Sequence, residues 1–215
     1  MPDPDPTKTM LGDAQWQWLE ETFRQPAQLR VVVSSIQLVA SGHGWERWGL
    51  LPTEAQRFYS LVESTRAEGV VVLSGDRHIG AVYKMEDGHT SSTNGVVDGP
   101  YSVPYTIWDI TSSALTHSFA GPDEPAGGTC VMGPDGVYPD ASCDEAGPNR
   151  VGSLIHLNNL GVIDVDWEAD NGQGNVTISL VKAERTPKAG FRNDAVRLLW
   201  TGQDRTGQDR IDMIG

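Results

Sequence analysis

The stretch "GVVVLSGDRHIGAVY", residues 69–83, holds the residue types best suited to chemistry. An apolar run stops at a polar cluster and resumes as an alternating strand. Asp76 and His78 stand one residue apart just beyond the run, where side chains at i and i+2 can share a direction and reach the crevice at the strand ends of an α/β sheet. Asp76 offers a hard oxygen and His78 an imidazole nitrogen, donors that suit one metal ion or two adjacent ones. Gly75 lets the backbone turn closely. On spacing alone, the commoner outcome for Asp-x-His is an aspartate capping a turn and a histidine satisfied by a hydrogen bond.

The elements that must position this pair follow from periodicity. Residues 1–10 are an extended, Pro-rich lead-in. "LGDAQWQWLEETF" sets Trp16, Leu19 and Phe23 at helical spacing, which predicts an amphipathic helix over Asp13–Phe23 with Asp13 near its N-terminus. "LRVVVSSIQLV" reads as a continuous apolar strand buried on both faces. "TEAQRFYSLVESTRA" predicts a second helix after Pro52, with Phe58, Leu61 and Val62 inward and Gly69 ending it. Val70–Leu73 is a second buried strand, which completes the helix, strand, helix, strand rhythm of a layered α/β unit.

Beyond Gly80 the expectation is sheet and loop, so the fold class is α/β, β-rich in its second half. Strands are expected at Ala81–Glu86, Thr106–Ser112, Gly161–Trp167, Asn175–Lys182 and Ala195–Trp200. Residues 118–150 form a long loop rich in proline and glycine, and loops of that length in compact domains are usually functional or disordered. One domain over residues 11–200 is followed by a polar tail, 201–215, containing "TGQDRTGQDR".

With 215 residues, 38% of them hydrophobic, the chain can bury a real core. A net charge of −13 argues against a nucleic-acid scaffold, because phosphate backbones would be repelled. Any anionic substrate would need cations to neutralise it. No run reaches the length of a membrane span, and "MPDPDPTKTM" has neither the basic nor the apolar region of an export signal. Cys130 and Cys143 fall in the long loop, where a disulfide and two free thiols are equally compatible with the sequence.

"TMLGDAQWQWLEE", "RVVVSSIQLVASGHGWERWGLLPTEAQRFYSLV", "GVVVLSGDRHIG" and "WDITSSALTHSF", in that order, resemble the C-terminal half of PhoD-like alkaline phosphatases, members of the calcineurin-like metallophosphoesterase superfamily, over about residues 8–182. The resemblance implies a partial layered α/β/β/α metallophosphoesterase fold and hydrolysis of phosphate mono- or diesters. It assigns Asp76 and His78 as metal ligands and so as the catalytic pair; Arg77 would stay near the phosphate or form a surface ion pair. It implies divalent or trivalent metal ions, calcium and iron first, with manganese or zinc as alternatives. Such cations neutralise phosphate oxygens and lower the pKa of a bound water.

The superfamily's early aspartate, its first Gly-Asp segment and its Asn-His or Asp-His step have no counterpart in this sequence. The expectation is half an enzyme, completed by a missing N-terminal half or by self-association, and poorly soluble alone because an inner apolar face is uncovered. The rival expectation is a non-catalytic β-rich binding or subunit module on the same strands. The family is typically exported, to the periplasm or beyond.

Further site candidates are weaker. "SGHGWERWG" gathers His43, Trp45, Glu46 and Trp48, and the resemblance puts this loop near the active-site rim, with His43 and Glu46 as pocket residues. The plainer reading is aromatic packing with a Glu46–Arg47 surface pair. His117 in "SSALTHSF" is either a residue supporting the metal ligands or a structural histidine. "DVDWEADNGQG" fails the calcium-loop pattern, having Ala169 and Asn175 where glycine and glutamate are needed. It reads instead as a hairpin with Val165 and Trp167 facing the core and the acids facing water. Serine-hydrolase, P-loop and zinc-finger motifs are absent from the sequence.

Overall fold

The structure, a computed structural model, describes the chain apart from residues 1, 2, 4, 6, 42, 44, 94–95, 119–146, 169–173, 183, 187–189, 193–194, 204–208 and 215. Cys130 and Cys143, and most of the expected long loop, lie outside the described residues.

Helix α1 (Asp13–Phe23) buries Trp16, Leu19 and Phe23, the stripe that its sequence spacing predicts. Strand β1 (Arg30–Val33) follows, then a short 3-10 helix (Trp48–Leu50) and helix α2 (Pro52–Thr65). Proline suits the first turn of α2, where a missing N–H costs nothing. The buried face of α2 is Glu54, Ala55, Phe58, Tyr59 and Val62, so Tyr59 joins Phe58 and Val62 in the core, with the expected Leu61 partly buried against it. The helix closes on Arg66 in the left-handed conformation, ahead of the expected stop at Gly69. Gly69 is needed for a different reason, a close approach of two backbones. At φ +63° its missing Cβ leaves room for Gln28 O, which would lie 2.1 Å from a side chain there.

A five-stranded mixed sheet forms the centre, in the order β1, β2 (Val70–Ser74), β6 (Ile107–Ser112), β3 (Gly80–Met85), β7 (Arg150–Ile155). The β1–β2 and β2–β6 pairs are parallel, and β3 runs antiparallel between β6 and β7. A hairpin of β4 (His89–Thr93) and β5 (Val96–Tyr101) is inserted after β3. An antiparallel second sheet joins β8 (Asn159–Asp166), β9 (Asn175–Lys182), β12 (Ala195–Gln203) and β13 (Asp209–Ile214). The strands β10 (Glu184–Thr186) and β11 (Gly190–Arg192) pair separately. The sequence did not signal β4, β5, β7, β10, β11 or β13, and the expected polar tail supplies β13.

Two cores result from the period-2 alternation of the central strands. On one face Val32, Val70, Val72, Ala81, Tyr83 and Ile107 meet the helices, where Trp16, Trp48, Phe23, Phe58 and Tyr59 pack edge to face. On the other face Val71, Val82, Trp108 and Ile110 meet Val176, Ile178 and Leu180 of the second sheet. Helix, sheet and second sheet are thus stacked as three layers, the mixed α/β, β-rich architecture expected.

Two expectations are corrected. The run Leu29–Val39 is a strand only over Arg30–Val33, and it is not buried on both faces: Val31 is 42% and Val33 78% exposed. The reason is position, since β1 is the edge of the sheet and residues 34–39 turn away to cross its end. Trp167 was expected in the core; it is 55% exposed, because β8 ends at Asp166, while Val165 does pack inward.

Candidate functional site

The C-terminal ends of the parallel strands β2 and β6 carry the polar residues of the central sheet. Ser74, Asp109 and Thr111 are all buried on the helix-facing side. Asp109 Oδ2 accepts the backbone N–H groups of Leu38 and Val39 at 2.8 and 2.9 Å, and its Oδ1 accepts Ser74 Oγ–H at 2.6 Å. Burial pushes the Asp109 carboxyl up to about 6, with the bonds from Ser74, Val39 and Leu38 pulling the other way. Thr111 Oγ1 lies 2.9 Å from Ser74 Oγ and accepts Gln37 Nε2–H at 2.9 Å. Gln37 Oε1 is 2.6 Å from His43 Nε2, and His43 Nδ1 accepts Trp45 N–H at 3.2 Å.

That last bond decides the tautomer. With Nδ1 accepting, Nε2 carries the proton and donates to Gln37, so a one-way chain of donors runs from His43 through Gln37, Thr111 and Ser74 to Asp109. Burial, then the charges of Arg77 and Arg47, lower His43 to about 3, so the imidazole is neutral. His43 is therefore a buried brace behind the loop, with both ring nitrogens engaged in holding it. Arg47 is buried too, donating to the carbonyls of His43 and Ala40 at 3.2 Å each, so the surface pair with Glu46 is not the arrangement. Ser41 and Asn149 bond to each other, and Asn149 also donates to Val39 O, tying the loop to the start of β7.

Above this scaffold the Gly75–His78 turn reverses the chain. Gly75 passes 3.3 Å from Ser35 O, measured from where a Cβ would stand. Asp76 and His78 both take left-handed backbone conformations, φ 70° and 54°. The alternation throws their side chains into solvent and turns Arg77 between them inward, where it is buried. The Arg77 guanidinium carbon sits 5.4 Å from the centre of the Trp45 ring. His117 meets His78 edge to face, ring centres 5.1 Å apart. Glu46 is exposed on the neighbouring loop. The structure thus brings His117 to His78, and Trp45 and His43 to Arg77.

As a metal site the turn is chemically apt and numerically short. An exposed carboxylate and an exposed imidazole are suitable donors. Among the described residues, however, no three His, Cys, Asp or Glu side chains gather closely enough to hold an ion. A cleft of about 230 Å³ opens between the sheets beside the turn, lined by Leu73, Ser74, Ile110, Ser112, Ile163 and Ile178. A larger one of about 520 Å³ lies at the opposite strand ends, near Arg24, Arg30 and Arg66. Two of its arginines are occupied: Arg30 donates to the carbonyls of Ala27, Glu68, Phe23 and Gln25, and Arg24 pairs with Glu20.

A PhoD-like phosphatase family model matches residues 2–174. The chain belongs to the PhoD-like phosphatase family. A solved structure of PhoD aligns with this chain at TM-score 0.58 and 15% sequence identity, covering 98% of this chain and 36% of that one. The chain thus spans about a third of the length of that solved relative. No curated protein matches the chain. Among the described residues, no helix is long and apolar enough to cross a membrane.

Sequence reasoning missed Asp109, Ser74, Thr111, Gln37 and Asn149. The signal was present in "WDITS": an acid and a threonine at alternate positions of an otherwise apolar strand predict a polar network inside one face of the sheet.

Proposed function

We propose that this chain carries part of the catalytic centre of a metal-dependent phosphoesterase acting on phosphate mono- or diesters, with Asp76 and His78 as metal ligands. One observation carries the reading. In a PhoD-like chain, two donor residues that are not glycine hold left-handed conformations one residue apart and point into solvent at the strand ends. Strain of this kind persists at sites that use it. A bound divalent or trivalent cation would supply charge neutralisation for the phosphate and a water acidic enough to attack it.

The chain's own residues do the positioning. Asp76 presents a carboxylate and His78 an imidazole on one turn. His117, against the His78 ring, limits its rotation. Arg77 contributes a fixed positive charge beneath the turn that favours an anionic ester nearby. The ligand set would be completed by further donors from the rest of a PhoD-like domain or from a second copy. The rival, a non-catalytic module, draws support from the two-donor count among the described residues.

Metal content of the purified chain, measured by mass spectrometry for wild type and His78→Ala, tests the assignment together with hydrolysis of an aryl phosphate in added calcium, iron, manganese or zinc. Stoichiometric metal that is lost in His78→Ala is the expected result, with any turnover lost alongside it. Metal binding indifferent to that substitution rejects the ligand role. Metal bound through His78 without turnover in any ion favours the non-catalytic module.

A further inference from the structure

Trp45 faces water on a loop that buries its other ring side chains, His43 and Trp48. Its neighbours His43, Arg47 and Trp48 are buried, and the first two spend their polar groups fastening the loop, yet the Trp45 indole is left 49% exposed. The exposed part of a large aromatic contributes little to a core and offers a flat surface to a planar ligand. The ring is also held in place. Its backbone N–H is bonded to His43 Nδ1, and the Arg77 guanidinium lies 5.4 Å from its centre. Arg77 is the link between Asp76 and His78, so the indole is registered to the same turn that presents the proposed metal ligands.

We infer that Trp45 is a stacking platform for the leaving group of the phosphate ester, giving the site a preference for leaving groups that carry a planar aromatic ring over those that carry none. The inference rests on the phosphoesterase reading above. The phosphate would lie towards Asp76 and His78, and the aromatic group would cover the indole surface that is now in water. Stacking on an aromatic side chain tolerates many ring types because every ring offers a π face. Phenyl and nucleobase-bearing esters share that chemistry.

Equilibrium binding to the manganese-loaded chain separates the possibilities, using phenyl phosphate, adenosine monophosphate and glycerol phosphate with wild type, Trp45→Ala and Trp45→Phe. The wild type should bind at least one aromatic ester about tenfold more tightly than glycerol phosphate, in line with the usual worth of one stacked ring. Trp45→Ala should erase that preference by weakening the aromatic esters far more than glycerol phosphate, and Trp45→Phe should retain most of it. Which of the two aromatic esters loses affinity identifies the source of the ring. Equal loss for all three esters, or no change for any, overturns the platform while leaving the phosphoesterase reading intact. Failure of every phosphate compound to bind overturns both. Shifts of the Trp45 indole N–H resonance on adding phenol, assigned by its absence in Trp45→Phe, read the stacking without metal or phosphate.

Discussion

Asp76 and His78, at φ 70° and 54°, each hold a conformation that costs a side chain on the order of 1 kcal/mol relative to glycine. Residues kept there for stability would destabilise the fold when replaced; residues kept there for binding would not. Asp76→Gly and His78→Gly should therefore leave the unfolding midpoint unchanged or raise stability by up to about 1 kcal/mol, while abolishing metal uptake in the same preparation. A clear drop in stability would instead assign the pair a structural role. Asp109 makes the complementary prediction. Burial raises its carboxyl from 3.8 to about 6, so between those values the folded chain keeps a proton that the unfolded chain has released. Stability drawn from this group is then fully present below pH 4, declines as pH rises to 6 and levels off above it, a change on the order of 3 kcal/mol. Denaturant unfolding of wild type and Asp109→Asn at several pH values checks this: the wild-type advantage should shrink across the window, and a constant difference would refute it.

At the scale of elements, two joints carry disproportionate weight. Glu54 on the first turn of α2 accepts Thr9 Oγ1–H, Met10 N–H, Leu11 N–H and Trp16 Nε1–H at 2.8, 3.0, 3.2 and 3.1 Å. Burial pushes its carboxyl up, but these bonds outweigh that and leave it below its ordinary value. Glu54→Ala should cost about 2–4 kcal/mol and free the segment before α1, visible as faster amide exchange at Met10 and Leu11. At the second joint, a methyl group on Gly69 would meet Gln28 O, so Gly69→Ala should lower the unfolding free energy by more than about 2 kcal/mol, read from the denaturant midpoint. Much of this layer was legible beforehand. The helical spacing of Trp16, Leu19 and Phe23 gave α1 its bounds, and the Gly-Asp-x-His run marked the turn that bears the candidate ligands. What stayed hidden depends on distant partners. Asp109 gains meaning only when Leu38 and Val39, some seventy positions earlier, are laid over it. The edge position that truncates β1 is set by sheet order, and a loop without periodicity does not announce that His43 turns in and Trp45 out.

For the whole molecule, the edge strand is the feature most exposed to its surroundings. Val31 and Val33 share a face with Val71 and Leu73, beside the cleft between the sheets. An apolar strand edge of this kind invites pairing with another chain. Sedimentation should show concentration-dependent association that Val33→Lys reduces without lowering the unfolding midpoint; a monomer at all concentrations would rule out this edge as the sticking point. The parallel pairing of β1, β2 and β6 has a kinetic side as well. Val31 lies beside Val71, and Val71 beside Trp108, so each of these parallel ladders must close a stretch of roughly forty residues before its first contact gives any return. Chains dominated by such non-local pairings fold in milliseconds to seconds rather than microseconds. The helices can form early, but they have no sheet to cover until that search is complete, and through this interval the chain is most open to binding the wrong edge.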